Sequence, residues 1–386
     1  MTESPKRLTF FEAASIIAGY GIGGGIMAMP YLASLTGVVP MVLILLAAYF
    51  LSLLMHLMVA EIMLRDGESR QIIEIFGKYL FQGRLAGVVT WLVFGMIVAA
   101  FIASLSAYIA GGGEILMELL GIPVWVGHCL TYAIAAGVVF FGLKVLGMSE
   151  KYAVIAIVLL ILSLALASLR LPYALPLFSQ GHSNASLALF GMSMFSFFAL
   201  FSVPQIAQGL SWNKPLIPRA IVTGMAINGI VILILVLISL GVTKEVTRIA
   251  IIGLGHALGN WANGIGSLFI LLAMLTSYWS VSFALAVAVQ ERLGSGQRVS
   301  WLVATLPSFL IVIARVSDFL GFMRIAGGAI AVLVAIMIVP LLNATRRHGP
   351  VKNPEWSMGF WGKPAFQVLV VLAFLLMAVG SLVTIA

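Results

Sequence analysis

The chain has 386 residues, 62% of them hydrophobic and only 9% charged, with a formal net charge of +8. Ordinary soluble domains carry roughly 25% charged residues, so a chain this apolar cannot cover a water-facing surface, and its solvent is a lipid bilayer. The basic excess lies in short segments between apolar runs, where it is a topology signal and not a nucleic-acid footprint. The single cysteine, Cys129, excludes an internal disulfide and a cysteine metal cluster.

A spanning helix needs about 20 mainly apolar residues. Eleven runs meet that condition, at 10–36, 40–64, 84–110, 123–143, 151–170, 186–210, 218–241, 262–290, 299–316, 324–344 and 365–385. The polar segment Met1 to Thr9 carries Lys6 and Arg7, and no small-residue cleavage site follows in the right place. The first run is therefore expected to be a retained helix and not a leader.

That first run contains Gly19, Gly21, Gly23, Gly24 and Gly25, followed by Pro30. Each glycine weakens a helix by about 1 kcal/mol relative to alanine. Unwound backbone at membrane depth is tolerated where protein buries it or where it lines a wet cavity. The Gly21–Gly25 spacing alone would also suit close packing of two helices. In the third run Tyr108 is a candidate pocket wall, or an ordinary interior tyrosine. The sixth run reads Phe195-Ser196-Phe197-Phe198 and then Ser202-Val203-Pro204, with Ser193 one turn earlier. Proline removes a backbone donor and disrupts the preceding turn, so this helix is also expected to break near its middle. Spans one and six are five helices apart, and each has a proline after its break. That is the pattern of two inverted five-helix repeats with a site where the breaks meet: residues 10–171, then 185–344, with an extra C-terminal helix in 363–386. Between the seventh and eighth runs, Val242 to Asn260 should include a short surface helix. The eighth run holds Ala273, Thr276 and Ser277, whose carbonyl and two hydroxyls offer oxygens that suit sodium if the first break adds carbonyls. The same hydroxyls could instead bond their own helix.

With the N-terminus inside, only Arg170, Lys244, Arg248, Arg315 and Arg324 of the 21 Lys and Arg fall outside. The bias predicts a multi-pass protein of the plasma (inner) membrane, N-terminus cytoplasmic and C-terminus outside. A broken helix exposes N–H groups at the start of its second half and C=O groups at the end of its first. The former favour an anion and the latter a cation. The amides of Gly23, Gly24 and Gly25 could thus hold a carboxylate. Carbonyls near Gly21 and those of Phe197 and Phe198 could hold an ammonium. Glu12 and Glu61 are expected near the inner face, and Glu114, Glu118, Arg315 and Asp318 near the outer one, leaving no charged side chain near mid-membrane. A cavity without fixed charge prefers a substrate of zero net charge, and a neutral amino acid fits.

These residues resemble the amino acid–polyamine–organocation superfamily, in particular its amino acid/auxin permease and bacterial aromatic amino-acid permease branches. Gly23-Gly24-Gly25-Ile26 through Pro30-Tyr31-Leu32-Ala33 is similar to its first-helix motif. Ala60-Glu61-Ile62 with Ile75-Phe76-Gly77, and Phe195-Ser196-Phe197 with Ser202-Val203-Pro204, are similar to its second- and sixth-helix signatures. The resemblance implies an all-α membrane fold of the LeuT-like type: a five-plus-five inverted repeat, eleven transmembrane helices, broken helices one and six, and alternating access. It places the substrate carboxylate on Gly24 and Gly25, and the ammonium on Gly21 and the Phe195–Phe198 segment. It also implies a sodium site of Gly19, Ile22, Ala273, Thr276 and Ser277. Ile26 cannot supply the amide of a second sodium site, and Lys151 stands too near its helix start to replace the ion. Leu200 stands where aromatic permeases tend to have His, which points away from an aromatic side chain.

The expected function is secondary transport, by import of a neutral amino acid coupled to Na+ or H+, with no other cofactor. A channel would need a filter repeat or a ring of charge, and neither is present in the sequence. A membrane enzyme would need a catalytic constellation, and His56, His128, His182, His256 and His348 have no ligand spacing. An amino-acid sensor is the remaining alternative, and the short termini carry no signalling domain.

Overall fold

The computed structural model describes residues 7–179, 183–243, 246, 250–316 and 319–383, and every regular element among them is helical. In chain order these are α1 (Phe10–Gly21), α2 (Met29–Thr36), α3 (Val38–Asp66), α4 (Ile72–Tyr79), α5 (Ala86–Leu120), α6 (Val124–Phe140), α7 (Leu143–Ser168) and α8 (Ser183–Ser196). They continue with α9 (Val203–Gly209), α10 (Leu216–Val242), α11 (Ala250–Leu258), α12 (Asn260–Leu293), α13 (Gln297–Ile313), α14 (Phe319–His348) and α15 (Pro364–Leu382). Lys6, His182, Lys244, Arg248 and Asp318 lie outside the described residues.

Among the described residues, eight helical stretches are long and apolar enough to cross a bilayer, α8 and α9 counting together as one. The pair α1–α2, bent by 61°, makes a ninth, and α6 and α13 are apolar helices of 17 residues each. This agrees with eleven spans. The short helix expected before the eighth span is α11, and α4 lies between the second and third apolar runs.

The core follows from which helices bury every face. All residues of α1 from Glu12 to Gly21 are buried, and α1 packs along α7, α10 and α12. The outer helices keep one apolar face exposed, as with Leu159, Leu162 and Leu166 of α7 and Val368, Leu372 and Leu376 of α15. Such stripes suit lipid chains as solvent.

Local chemistry fixes the ends of α1. Thr9 and Glu12 form a reciprocal capping box, with Thr9 N donating to Glu12 Oε2 at 2.7 Å and Glu12 N to Thr9 Oγ1 at 3.3 Å. Glu12 also accepts from Lys144 Nζ at 2.7 and 2.8 Å, which ties α1 to α7. Just before the cap, Leu8 fills the space above Gly147 and Gly209. Its N–H donates to the Gly209 carbonyl at 3.0 Å, and its carbonyl accepts from Trp212 Nε1 at 3.2 Å.

The same face carries an ionic cluster. Arg346 Nε and Nη2 donate to the two oxygens of Glu61 at 2.8 and 2.9 Å, and Arg65 Nε adds a third bond at 2.8 Å. The Met358 N–H donates to Glu61 as well, at 3.1 Å. On the opposite face the segment after α7 crosses the ends of α2, α3 and α10. There the N–H groups of Val38 and Val39 donate to the carbonyls of Pro176 and Leu177, and Ala174 N donates to Gly241 O.

Candidate functional site

The first span breaks where the glycine run predicts. Helix α1 ends at Gly21, a 3-10 turn occupies Gly24–Met27, and α2 starts with Pro30 in its first turn. The sixth span breaks in the same manner. Helix α8 ends at Ser196, Phe197 to Ala199 are non-helical, and a 3-10 turn at Leu200–Ser202 leads into α9, with Pro204 in its first turn. Each proline stands where the helix has no use for its missing N–H.

The two breaks face each other. A Cβ on Gly21 would stand 2.7 Å from the Ser196 carbonyl oxygen, and one on Gly25 would stand 2.8 Å from Ser196 Oγ and 2.9 Å from the Phe195 ring. Only glycine permits this approach. The Tyr20 and Phe198 rings meet edge to face at 6.3 Å, and Phe198 leads to Phe201 at 5.9 Å and then to Phe101 of α5 at 4.6 Å. Phe197 turns away to pack on Tyr49 at 5.5 Å. Ser196 and Ser202 each bury a hydroxyl oxygen with no partner among the described residues.

Helix α12 closes the site from the side. Ser277 Oγ donates toward the carbonyls of Tyr20 at 3.1 Å and Gly19 at 3.4 Å. A Cβ on Gly23 would stand 2.7 Å from Ser277 Oγ and 3.4 Å from the Tyr108 hydroxyl, so α5 and α12 both reach the first break. Thr276 Oγ1 donates to Ala273 O at 3.0 Å. The structure thus brings Gly19, Thr276 and Ser277 together, with Ala273 one turn back on α12, and Ile22 is buried at the end of α1. The two hydroxyls are engaged with helix and neighbour carbonyls.

Three groups in the site escape sequence reasoning. His56 of α3 stands in the gap of the sixth span: its Nε2 accepts from Ala199 N–H at 2.9 Å, while Nδ1 donates to Ser52 O at 2.7 Å. A peptide N–H can only donate and a carbonyl can only accept, so the ring is neutral with its proton on Nδ1. Asn228 of α10 donates from Nδ2 to Ser196 O at 2.6 Å, satisfying a carbonyl freed by the break. Neither residue carries a signal in its own neighbourhood, because each serves backbone distant in sequence.

The third is Glu150, which sets a carboxyl group against Gly19, where the sequence leads one to expect no Asp, Glu, Lys or Arg. The fifth apolar run starts at residue 151, but α7 begins at Leu143, directly after Gly142 (φ 88°), and Glu150 is two turns inside it. Its side chain is fully buried, accepts from Ser280 Oγ at 2.8 Å through Oε1, and lies against Gly19. Lys151 points elsewhere, with its ammonium over the exposed Tyr152 ring at 4.9 Å.

The fold is similar to solved transporters of low sequence identity. The structure of MhsT in complex with L-phenylalanine matches with a TM-score of 0.64 at 16% identity, covering 96% of this chain and 98% of that one. A closed conformation of Mhp1, a nucleobase-cation-symport-1 family transporter with bromovinylhydantoin bound, matches with a TM-score of 0.60 at 15% identity, covering 99% and 93%. The Eremococcus coleocola manganese transporter, bound to an aromatic bis-isothiourea compound, gives 0.63 at 14% identity, covering 96% and 85%. These likenesses establish the LeuT-like fold with its two broken helices. No curated protein matches in sequence. The model of the tryptophan/tyrosine permease family matches residues 6–381, nearly the whole length, and this chain belongs to that family.

Proposed function

We propose that the protein moves a neutral amino acid with an aromatic side chain across the membrane by alternating access, coupled to an ion gradient. It is a permease and not an enzyme. The observation that carries the substrate reading is the pairing of two helix breaks with an aromatic wall. Peptide dipoles at Gly21 to Gly25 and at Phe197 to Ala199 suit the carboxylate and ammonium of a zwitterion. The ring series Tyr20, Phe198, Phe201 and Phe101 suits an aromatic side chain by edge-to-face contact. The family match and the phenylalanine bound to MhsT support the same class. Leu200 is itself buried among these elements, and an apolar wall there is compatible with an indole or phenyl ring.

The substrate-binding residues on this reading are Gly21, Gly23, Gly24, Gly25, Tyr108, Phe195, Ser196, Phe198 and Ser202, with Phe197 supporting from behind. Residues 10–171 and 185–344 form the two repeats, with the N-terminus on the cytoplasmic side of the plasma membrane and the remaining helix accessory. Membership of the wider amino acid–polyamine–organocation superfamily fits the first-helix motif.

A thermal-shift series on purified protein tests the substrate. Tryptophan, tyrosine or phenylalanine should raise the melting temperature, because a ligand that binds only the folded state stabilises it by mass action. Charged amino acids should not. Stabilisation by alanine or serine alone would sink the aromatic assignment. Gly24→Val should remove the aromatic shift, and its persistence would refute the assigned carboxylate site.

A further inference from the structure

Glu150 is an ionisable side chain two turns inside α7. It is fully buried, and its Oε2 has no hydrogen-bond partner among the described residues. A Cβ on Gly19 would collide with that oxygen, and Thr276 Cβ lies 3.0 Å from the same point. The carboxyl group therefore fills the seam where α1, α7 and α12 meet.

Other charges are committed elsewhere. Along α7 itself, Lys144 serves Glu12 and Lys151 lies over Tyr152. From α1 come Glu12 and Tyr20. From α12 come Tyr278, Glu291, which accepts from Gln71 N, and Arg292, which pairs with Glu74. Arg219 of α10 is exposed, α6 offers His128, Cys129 and Tyr132, and α9 offers none. Among the described residues no cation pairs with Glu150.

An ionised carboxylate needs donors or a cation at both oxygens, and burying one without them is costly. A carboxylic acid needs no donor at the oxygen that holds its proton. Ser280 serves Oε1 alone, so the arrangement fits the acid. The seam also lies beside the last turn of α1, whose carbonyls form the negative end of a helix dipole. A negative charge there would be repelled and a neutral acid is not. Finally, the Ser280 carbonyl accepts from Gln205 Nε2 of α9 at 2.8 Å, so the contact reaches the second half of the sixth span.

Resting on the transport reading above, we propose that Glu150 is the proton-carrying group of this transporter, a coupling site that holds α1 against α7 and α12 when protonated. Loss of the proton from Oε2 to water leaves a carboxylate that Gly19 and the end of α1 repel, and the seam opens. Binding a proton from water on the other side restores the neutral acid and closes it. Both broken spans respond, α1 directly and α9 through Ser280 and Gln205.

Proteoliposomes and infrared spectroscopy test this. An inward proton gradient should drive accumulation of tryptophan by the wild type, with alkalinisation of the medium. In Glu150→Gln that accumulation should be lost, and whatever tryptophan counterflow remains should not vary with pH. Lys151→Gln should accumulate as the wild type does. Independently of any substrate, the wild type at neutral pH should show the C=O stretch of a buried carboxylic acid. The band should be absent in Glu150→Gln and shifted in Ser280→Ala, which keeps the acid but removes the donor to Oε1. Proton-driven accumulation in Glu150→Gln, wild-type accumulation driven by sodium alone, or no such band in the wild type would each overturn the proposal. Absence of aromatic counterflow in the wild type would instead sink the substrate reading, and the band would still decide the protonation of Glu150.

Discussion

A single histidine props the sixth span open. Its Nε2 replaces the carbonyl that Ala199 N–H would have used in a continuous helix. His56→Ala should leave that buried donor unsatisfied at a cost of about 1–3 kcal/mol, read as a lower melting temperature. His56→Gln, which keeps an acceptor, should recover part of the loss; equal loss in both would argue that ring packing and not the hydrogen bond matters. Residues of this kind are the least legible in the sequence. The glycines and prolines announce the breaks because they act on their own backbone. His56, Asn228 and Glu150 act on backbone far along the chain, and only the packing shows whom they serve. Glu150 had one local sign: Gly142 is a natural boundary between two helices, and starting the fifth span there places the glutamate inside it.

Among the elements, glycine seams do two different jobs that the same substitution can separate. Gly21→Ala would set a methyl 2.7 Å from the Ser196 carbonyl and force the two breaks apart. Gly380→Ala would set one 2.6 Å from the Leu187 carbonyl, at the seam of α8 and α15. Overpacking of this sort costs about 1–3 kcal/mol, so both should lower the melting temperature. Uptake should be lost only in Gly21→Ala, since α15 lies outside the two repeats of the proposed mechanism. Loss of uptake in both would give α15 a working part. Sodium is tested on α12. If it is the coupling ion, Thr276→Ala with Ser277→Ala should abolish sodium dependence. If Glu150 carries the coupling, the pair should leave proton-driven accumulation in place. Spacing made the eighth-span hydroxyls visible in the sequence, but not their partners, because a serine can turn to its own helix or to a neighbour.

Over the whole molecule, the ionic cluster at Glu61 joins α3 to α14 and to the segment before α15. Glu61 is fully buried, and removing one partner of such a cluster strands the others, at a cost of about 3–5 kcal/mol. Glu61→Gln and Arg346→Ala should each be strongly destabilising in thermal unfolding, and the double variant should cost less than their sum. Simple additivity would show that the two act separately. The fold as a whole was readable because bilayer thickness dictates run length, and eleven runs with two flawed members leave few arrangements. The exact helix ends were not, since polar residues such as Glu114 and Glu118 continue α5 beyond its apolar stretch.

Leu8 couples the two flawed rods at one end. Its backbone is tied to Gly209 and Trp212, and its side chain occupies the notch left by two glycines on different helices. The first rod therefore cannot swing from that end on its own: it must either carry the α9 terminus along or draw a leucine out of its socket. Because drawing it out exposes apolar surface, any opening at this end has a built-in latch, and its stiffness is set by a residue that lies outside both breaks.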